Sequence, residues 1–319
     1  MIERNDNHAL NILPARERPL AEALGLGRPL LAQAETSGRA WLTASLVHGP
    51  AVVLGASQRA GRVVRLDACA AAGTTVLRRA TAGTAVYIDG RALLWTLSLP
   101  RVAALAPDAT MRTLLNRNVR GFLKGLQRGG ALAHYFGREW LSVRHRPAAV
   151  IGFETTRSGA VLIEVMAGID ASPMLPEALA TDDERRLDRW RGKVPAALGE
   201  LVDEEPMALA EGVMKAVAHK AGMAMEEGNA ISAEPAVEVT HVEDPLPAGF
   251  TPGPMRSVPI GWIDTAVDRA TGRAWIGGDV LAPRWLLDDV AAGEAEIGEA
   301  PLEGASLEDL REARATAAS

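Results

Sequence analysis

The segment from Leu77 to Asp89, LRRATAGTAVYID, has the residue types of a loop that binds an anionic ligand. Arg78 and Arg79 supply guanidinium groups that can bind a carboxylate or a phosphate. The small residues after them allow the backbone to approach a ligand closely. Residues 82–84 read Ala-Gly-Thr, and only Gly83 adopts positive φ without steric cost. The segment therefore has the charge of a binding loop but few of its glycines.

The residues on either side of this loop predict β-strands. Before it, TTVLRRA is rich in strand formers, so Arg78 and Arg79 alternate across a strand and at most one faces a cleft. That arginine would meet an anion, and the other would meet a surface carboxylate. After the loop, AVYID and ALLWTLSLP predict a hairpin around the turn dipeptide Asp89–Gly90.

Two further segments predict another pair of strands. REWLSVRHRPAAVIGFE, residues 138–154, predicts a strand, and TRSGAVLIEVMAGID predicts its partner, with the turn at residues 157–159. NRNVRGFLKGLQRGG and PMALAEGVMKAVAHKAG have apolar residues at helical spacing. Because strands and helices do not alternate regularly, we predict an α+β fold with a mostly antiparallel sheet flanked by helices.

Changes in composition divide the chain into four parts. Residues 1–19 are polar and predict a mobile leader, and residues 20–225 form the main domain. Prolines among acidic and small residues predict a linker over residues 226–259. Strand and helix patterns resume in residues 260–319, which predict a small C-terminal α+β domain with a disordered tail.

The composition argues against several classes of partner. The chain has 319 residues, of which 48% are hydrophobic, and a formal net charge of −6. This charge argues against nucleic-acid binding, although a local basic cluster is present at Arg138, Arg144, Arg146 and Arg157. No apolar run is long enough to cross a bilayer, and the N-terminal residues lack the apolar segment of a signal peptide. We therefore expect no membrane partner and a cytoplasmic location.

Cysteine nucleophiles and metal sites are not expected. Cys69 is the single cysteine and lies in an alanine-rich predicted helix with no evident base beside it. We expect a buried structural thiol there rather than an acyl-accepting nucleophile. His48, His134 and His145 lack the spacing of metal ligands, so we predict no metal site.

Six stretches of the chain are informative when taken in order. They are VVLGASQ, LRRATAGTAVYID, GREWLSV, AVIGFETTRSGAVLIEVMAGID, WRGKVPAAL and GRAWIGGDVLAPRWLLDDV. Together they resemble the lipoate–protein ligase A family, within the biotin/lipoate ligase superfamily. The second stretch resembles the family's R-R-x-S-G-G-G-A-V-x-H-D segment, with Thr81 in place of serine. The resemblance covers most of the chain from about Leu30 onward.

The resemblance implies a fold and an activity. The fold would be a central antiparallel sheet with flanking helices and a small C-terminal accessory domain, with the ligand in a cleft over the sheet. The activity would be adenylation of lipoate or octanoate with ATP and Mg²⁺. The acyl group would then pass to a lysine of a lipoyl carrier domain, in a 2-oxoacid dehydrogenase E2 or a glycine-cleavage H-type protein. Octanoyltransferases of the superfamily skip the adenylate.

The family's catalytic lysine has no match in this chain. It opens the family's K-(V/I)-x-G segment and falls at Ala149 if Gly152 is the anchor, or at Pro147 if Phe153 is. The loop has also lost two glycines, and the family's histidine before Asp89 is replaced by isoleucine. The catalytic residues are therefore unknown. The candidate substitutes for the missing cation are Arg144, Arg146 and Lys193.

If the pocket is retained, small and basic residues should form its wall. The predicted ligand-binding residues are Arg78, Arg79, Thr81, Ala82, Gly83, Thr84, Ala149, Gly152 and Ala160. The small residues at positions 149 and 152 would leave an apolar trough for an acyl chain.

The residues leave more than one function open. The first hypothesis is a catalytically impaired homologue that binds an acyl group or a lipoyl carrier without forming an acyl-adenylate. The alternative is an active lipoyl or octanoyl ligase or transferase with a relocated catalytic cation. A ligase for another small carboxylate would need the same relocation.

Overall fold

The computed structural model describes residues 9–127, 131–234, 246–294 and 296–318. The strands are β1 (Ala9–Ile12), β2 (Arg16–Glu17), β3 (Ala40–His48), β4 (Ala51–Leu54), β5 (Thr75–Arg78), β6 (Val86–Ile88), β7 (Arg91–Leu99), β8 (Ala133–Tyr135), β9 (Trp140–Val143), β10 (Arg146–Thr155), β11 (Val161–Gly168), β12 (Ala224–Glu227), β13 (Thr251–Pro252), β14 (Arg256–Val258), β15 (Gly261–Asp268) and β16 (Arg273–Gly278). The helices are α1 (Leu20–Gly25), α2 (Gly27–Ser37), α3 (Ala60–Val63), α4 (Leu66–Ala71), α5 (Leu114–Asn118), α6 (Arg120–Leu126), α7 (Asp182–Arg185), α8 (Leu198–Leu201), α9 (Pro206–Ala221), α10 (Arg284–Ala292) and α11 (Leu307–Ala318), with a 3₁₀ turn at Met111–Thr113.

A nine-stranded sheet forms the centre of the molecule. Its order is β12-β1-β3-β7-β11-β10-β9-β8, with β2 also paired to β3. All pairs from β3 to β8 are antiparallel, whereas β1 is parallel to both β3 and β12. The predicted α+β class, with a mostly antiparallel sheet and flanking helices, is confirmed.

The two faces of this sheet differ in chemistry. One face is apolar and packs on α6 and α9, with Trp95, Phe122 and Phe153 fully buried in the shared core. Helix α9 is well delimited, because Pro206 occupies its first turn, Glu205 caps its N-terminus and Gly222 ends it in the left-handed conformation. The opposite face has polar side chains in its middle and is covered by α2 and a smaller sheet.

The smaller sheet places the arginine-containing loop. Strand β4 pairs parallel with β5 and antiparallel with β6, and the loop connects β5 to β6. The hairpin predicted around Asp89–Gly90 is wrong. At this turn the chain leaves the small sheet, and β7 enters the central sheet between β3 and β11. Both sheets bury apolar strands, so the alternation within each strand does not distinguish a hairpin from a crossing between sheets.

The segment 138–154 is two strands rather than the single strand expected. Strand β9 turns back at Arg144 and His145, which both have positive φ, at +48° and +65°. Since neither residue is glycine or proline, the sequence carried no turn signal there. The expected pairing of β10 with β11 is confirmed.

Regular structure lies near both ends of the described chain, where the sequence predicted none. The prediction of a mobile leader over residues 1–19 is wrong for residues 9–19, because β1 lies between β3 and β12 and Leu10 is fully buried. The tail is also ordered, since α11 buries Leu310 and Ala313. Residues 226–227 and 251–258 of the predicted linker contain strand residues, and residues 235–245 lie outside the described part.

The C-terminal residues build a sheet of their own. Strands β13 to β16 pair with one another, and α10 and α11 pack on them. The division into domains at residue 260 stays a prediction, because this sheet shares a hydrophobic core with the central one. Within the described residues, no helix is long and apolar enough to span a membrane.

The contact between α6 and α9 depends on two glycines and gives a first prediction. A Cβ added at Gly121 would lie 2.6 Å from the Cα of Val217, and one at Gly125 equally close to that of Val213. We expect Gly121→Ala to destabilise the fold by about 1–3 kcal/mol through overpacking, measured by urea unfolding. Gly61→Ala is the matched control, because its Cβ would meet no atom within 4 Å. Equal stability of the two variants would contradict the prediction.

Candidate functional site

The loop between β5 and β6 lies on the polar face of the central sheet and is buried except at Ala80, which is partly buried. Thr81, Ala82 and Thr84 are at most 1% exposed. The backbone N–H of Ala82 donates to the carbonyl of Phe153 (2.9 Å), and the N–H of Ala56 donates to the carbonyl of Thr81 (2.9 Å). The loop is thus held between the end of β4 and strand β10.

Glycines opposite the loop make this close contact possible. A Cβ on Gly152 would overlap the carbonyl oxygen of Ala82, and a Cβ on Gly55 would overlap that of Gly83. The small residues required for close backbone approach therefore stand on β10 and after β4 as well as in the loop.

A chain of polar contacts joins the loop to β11. Arg79 is 2% exposed, and its Nε donates to Oγ1 of Thr81 (3.0 Å) while Nη2 donates to the carbonyl of Ala82 (3.2 Å). Glu164 accepts from the hydroxyl of Thr81 (2.5 Å) and from its backbone N–H (3.2 Å). Nη1 of Arg79 and Oε1 of Glu164 are buried and have no hydrogen-bond partner among the described residues.

Burial dominates the electrostatics of this pair. It lowers the pKa of Arg79 to about 10, against the attraction of Glu164. It raises the pKa of the Glu164 carboxyl, and the hydrogen bond from Thr81 and the charge of Arg79 oppose that rise. Each group thus stabilises the ionised form of the other in a dry environment. The Nη1 group remains as one donor with no partner in the described structure.

A row of polar side chains extends from this pair across the sheet. Thr43, Thr96, Glu164 and Gly152 stand directly opposite one another on β3, β7, β11 and β10. The hydroxyls of Thr43 and Thr96 are buried and have no partner among the described residues. Helix α2 covers the row, and a Cβ on Gly27 would be 3.2 Å from Oε1 of Glu164.

The C-terminal sheet covers the loop from the other side. Cδ2 of Leu281 would lie 2.8 Å from a Cβ on Gly83, whose φ is +111°. Asp279 anchors this cover, since its carboxylate accepts from Nε2 of Gln58 (2.6 Å), from Nη2 of Arg189 (3.3 Å) and from the backbone N–H of Trp262 (2.8 Å).

A buried ion pair adds a second anchor for the C-terminal sheet. Arg59 forms a bidentate pair with Asp264, in which Nη2 lies 2.8 Å from Oδ1. The carboxylate of Glu154 on β10 also accepts from the backbone N–H of Arg284 (3.1 Å), at the start of α10.

Most of the predicted ligand-binding residues come together here. Arg79, Thr81, Ala82, Gly83, Thr84 and Gly152 form the buried site just described. Ala160 packs beside it, in a cluster with Leu162 and Ala80. Arg78 instead donates from Nη1 to the carbonyls of Gly55 (3.0 Å) and Gln58 (2.5 Å), and so shapes the turn after β4.

Ala149 does not belong to the site. It stands three residues before Gly152 on β10, and residues an odd number apart on a strand face opposite sides. Ala149 and Ile151 lie in the main hydrophobic core, whereas Val150 shares the face of Gly152. The prediction that positions 149 and 152 line one trough is therefore wrong.

The three candidate substitute cations gather elsewhere, at the start of β10. Arg146 donates to the carbonyls of Val194 (3.2 Å) and Pro195 (2.9 Å) and pairs with Glu200. Arg144 is exposed at the β9–β10 turn, and Lys193 is exposed beside Val194. Along the strand, Arg146 is about 20 Å from Gly152, at roughly 3.3 Å per residue. These cations do not approach the loop.

Glu139 is a buried charge whose role the sequence did not reveal. Both of its carboxylate oxygens are buried without a hydrogen bond from the described residues, although Nε of Arg138 is 3.3 Å from Oε2. Its carbonyl accepts from the N–H of Ile151, one residue from Gly152. Burial raises the pKa of Glu139 to about 7, against the charge of Arg138. The sequence feature that could have drawn attention to Glu139 was its position inside the predicted strand GREWLSV.

Cys69 and the histidines have local surroundings without features of a reactive site. Cys69 is buried in a hydrophobic cluster on α4, and burial raises the pKa of its thiol, so the reactive thiolate is disfavoured. The rings of His134 and His145 stack at 5.4 Å, and His48 pairs with Glu17. Within the described ranges, no group of three or more His, Cys, Asp or Glu residues is placed to hold a metal ion.

Comparison with known proteins relates the part of the chain that contains the loop to a described family. Residues 20–171 match the family described as the lipoyl protein ligase A/B catalytic domain, which confirms the resemblance inferred from the sequence. No curated protein sequence matches the chain.

Solved structures of lipoate ligases share the fold. The chain is similar to the bipartite lipoate protein ligase of Thermoplasma acidophilum, described with its E2 lipoyl domain (TM-score 0.56, 17% identity, 68% of this chain and 87% of that one). It is as similar to a lipoate-protein ligase A bound with ATP (TM-score 0.56, 16% identity, 69% and 87%). P. falciparum LipL1 in complex with lipoate matches at TM-score 0.51 and 16% identity, over 66% of this chain and 61% of that one.

The buried carboxylate of Glu139 gives a pH-dependent prediction. Its pKa in the folded state, about 7, lies above the ordinary value of 4.5, so the folded state holds the proton more tightly than the unfolded chain does. Stability should therefore fall as the pH rises from about 4.5 to 7. We expect Glu139→Gln to flatten this decline and to raise the free energy of unfolding at pH 8 by about 1–3 kcal/mol.

The measurement is urea unfolding at several pH values between 5 and 8. Glu177→Gln, at an exposed glutamate, is the control and should change stability by no more than about 0.5 kcal/mol at any pH. A Glu139→Gln variant that is less stable than the unmodified protein at pH 8 would refute the interpretation.

Proposed function

We propose, from the membership of residues 20–171 in the lipoyl protein ligase A/B catalytic family, that this chain is a lipoate–protein ligase-like protein with impaired catalysis. On this proposal it binds an acyl group or a lipoyl carrier domain and forms little or no acyl-adenylate. The observation that carries the proposal is the state of the loop, which is buried and bonded to the protein itself.

The residues around the loop do not fit ATP with Mg²⁺. The N–H groups of Thr81 and Ala82 donate to Glu164 and to Phe153, and two of the three arms of the Arg79 guanidinium bond within the loop. Leu281 lies against Gly83 on the outer side. Glu164, directly beneath, would repel the multiply charged triphosphate of ATP more strongly than a singly charged carboxylate. On this proposal, ATP takes part in no reaction step at this loop.

The missing lysine adds an energetic argument. Removing one preorganised donor to a developing oxyanion typically slows a reaction by about 10²–10³, or about 2.7–4 kcal/mol. Both positions that match the family's lysine, Ala149 and Pro147, carry apolar side chains. A loop with fewer glycines would also hold the reacting groups less accurately. A displacement of about 1 Å between reacting groups can lower the reaction rate by about another 10²-fold.

Relocation of the cation is the less favoured alternative. Arg144, Arg146 and Lys193 lie at the far end of β10, and Arg146 is already bonded to two carbonyls and to Glu200. Arginine is moreover a planar fork and a poor replacement for the point charge of a lysine. An active ligase would require these side chains to cross about 20 Å.

Binding functions are compatible with the same geometry. Nη1 of Arg79 is an unpartnered donor within the described structure, next to the hydroxyl-lined face of the sheet. This donor would bind the carboxylate of an acyl ligand that reaches it once the side chain of Leu281 moves away from Gly83. The Thermoplasma ligase of similar fold is described together with an E2 lipoyl domain, which makes a lipoyl carrier the first partner to test.

Activity is tested by pyrophosphate exchange. We expect exchange with ATP and lipoate or octanoate to be at least about 10²-fold slower than in a ligase that has the lysine, because one donor is missing. The unmodified protein is assayed beside Arg146→Ala and Lys193→Ala. Rapid exchange that is lost in either variant would overturn the proposal and indicate a relocated site.

Acyl binding is tested separately by calorimetry with octanoate and lipoate at millimolar concentration. We expect Leu281→Ala to tighten binding several-fold, because it removes the side chain that covers Gly83. Leu286→Ala is the matched control, since it truncates another fully buried leucine of the C-terminal region. If neither the unmodified protein nor Leu281→Ala gives heat of binding, the acyl half of the proposal fails.

A further inference from the structure

Three exposed apolar side chains lie on segments that meet at one edge of the central sheet. Among the described residues, Leu132 is 56% exposed, Phe136 57% and Val194 69%. Leu132 and Phe136 flank β8, which is the last strand of the sheet in the described structure. Large apolar side chains this exposed, when they occur close together, mark a surface that meets another molecule.

Direct contacts join Leu132 and Phe136 to the β9–β10 turn. The backbone N–H of Arg144 donates to the carbonyl of Leu132 (2.9 Å). The ring of His134 stacks on Phe136 on one side (5.6 Å between centroids) and on His145 on the other (5.4 Å). The strand edge and the turn thus form one continuous surface.

Val194 joins this surface through Arg146, whose Nε donates to its carbonyl (3.2 Å). Lys193, one residue earlier, is exposed. We call the combined surface the edge patch and define it by Leu132, Phe136, Arg144, His145, Lys193 and Val194.

The charge of the edge patch is opposite to that of the whole chain. Arg144 and Lys193 are exposed cations in a protein with a formal net charge of −6. In residues 131–146 the single acidic residue is Glu139, which is buried, and Glu200 is bonded to Arg146. The edge patch therefore attracts an acidic surface.

The turn within the edge patch has residues poorly suited to its backbone. Arg144 and His145 both have positive φ, in a two-residue hairpin turn that favours Asn-Gly. Large side chains in this conformation cost stability and are concentrated at functional positions. A role for these side chains outside the fold would account for their presence.

We propose that the edge patch docks an acidic protein domain. The identification of that domain as a lipoyl carrier rests on the proposed function. A protein is favoured over a nucleic acid because Leu132 and Val194 are aliphatic and gain nothing from phosphates. The docked domain would cover the apolar side chains at the centre and pair its carboxylates with Arg144 and Lys193.

The experiment measures binding of an apo E2 lipoyl domain of acidic net charge by calorimetry. We expect the double variant Arg144→Glu/Lys193→Glu to weaken binding at least tenfold, and Phe136→Ser to weaken it several-fold. The control is Arg269→Glu, which reverses an exposed charge at the β15–β16 turn and should leave the affinity unchanged. Higher salt should weaken binding to the unmodified protein.

A second variant separates lost binding from lost folding. Arg144→Asn/His145→Gly supplies the residues that this turn prefers, so it should raise Tm while weakening binding of the same lipoyl domain at least fivefold. A variant that is more stable and yet binds poorly cannot be explained by misfolding.

Each other outcome overturns some part of the proposal. Full binding by all edge-patch variants would place the docking surface elsewhere and leave the proposed function intact. Absence of carrier binding, with acyl binding intact, would overturn both the docking proposal and the carrier half of the proposed function. Tighter binding of a single-stranded RNA of matched charge, lost in the same variants, would assign the edge patch to nucleic acid.

Discussion

The buried contact among Arg79, Thr81 and Glu164 fixes the arrangement of the other elements. Transferring a guanidinium and a carboxylate out of water costs several kcal/mol for each ion, and only close pairing with further hydrogen bonds offsets it. Arg79 directly follows β5 of the small sheet and Glu164 lies on the central sheet, so their link through Thr81 favours one register of the two sheets. Gly55 and Gly152 permit that register, because any side chain there would push the loop away.

On the proposed function, the same contact accounts for weak binding of nucleotide at the loop. A phosphate-binding loop offers free N–H groups and cations to its ligand. Here the N–H of Thr81 already donates to Glu164. Two of the three nitrogens of the Arg79 guanidinium already donate to Thr81 and Ala82 within the loop. The hydrogen bonds that hold the loop in place therefore use the groups that, on the proposed function, are no longer free to bind phosphate. On the proposed function, the loop takes part in recognition rather than in formation of an acyl-adenylate.

The C-terminal sheet depends on the loop region in turn. Asp279 receives hydrogen bonds from Gln58, just after β4, from Arg189 and from Trp262 of its own sheet. Arg59, beside Gln58, pairs with Asp264. Because removing one member of a buried pair costs about 3–5 kcal/mol, these contacts hold Leu281 against Gly83. Access to the site is thus linked to how firmly the C-terminal sheet is docked.

The sequence by itself determined the local features of this protein. The apolar spacing predicted α9, the turn at residues 157–159 predicted the β10–β11 pair, and the arginine-containing segment indicated the candidate site. These features depend on residues that are neighbours along the chain. The odd spacing of Ala149 and Gly152 already separates them on a strand, so that error was avoidable from sequence.

Only the tertiary structure decided which strands share a sheet and which charges are buried. The residue pattern of β7 would be the same if the strand paired with β6 or if it crossed to lie between β3 and β11, because a buried strand has apolar residues in either case. Arg78 and Arg79 are identical in type. Their different roles arise because Glu164, 85 residues beyond Arg79 in the sequence, lies under only one of them. Burial of Glu139, like the ordering of β1 and α11, depends on distant segments that no local pattern contains.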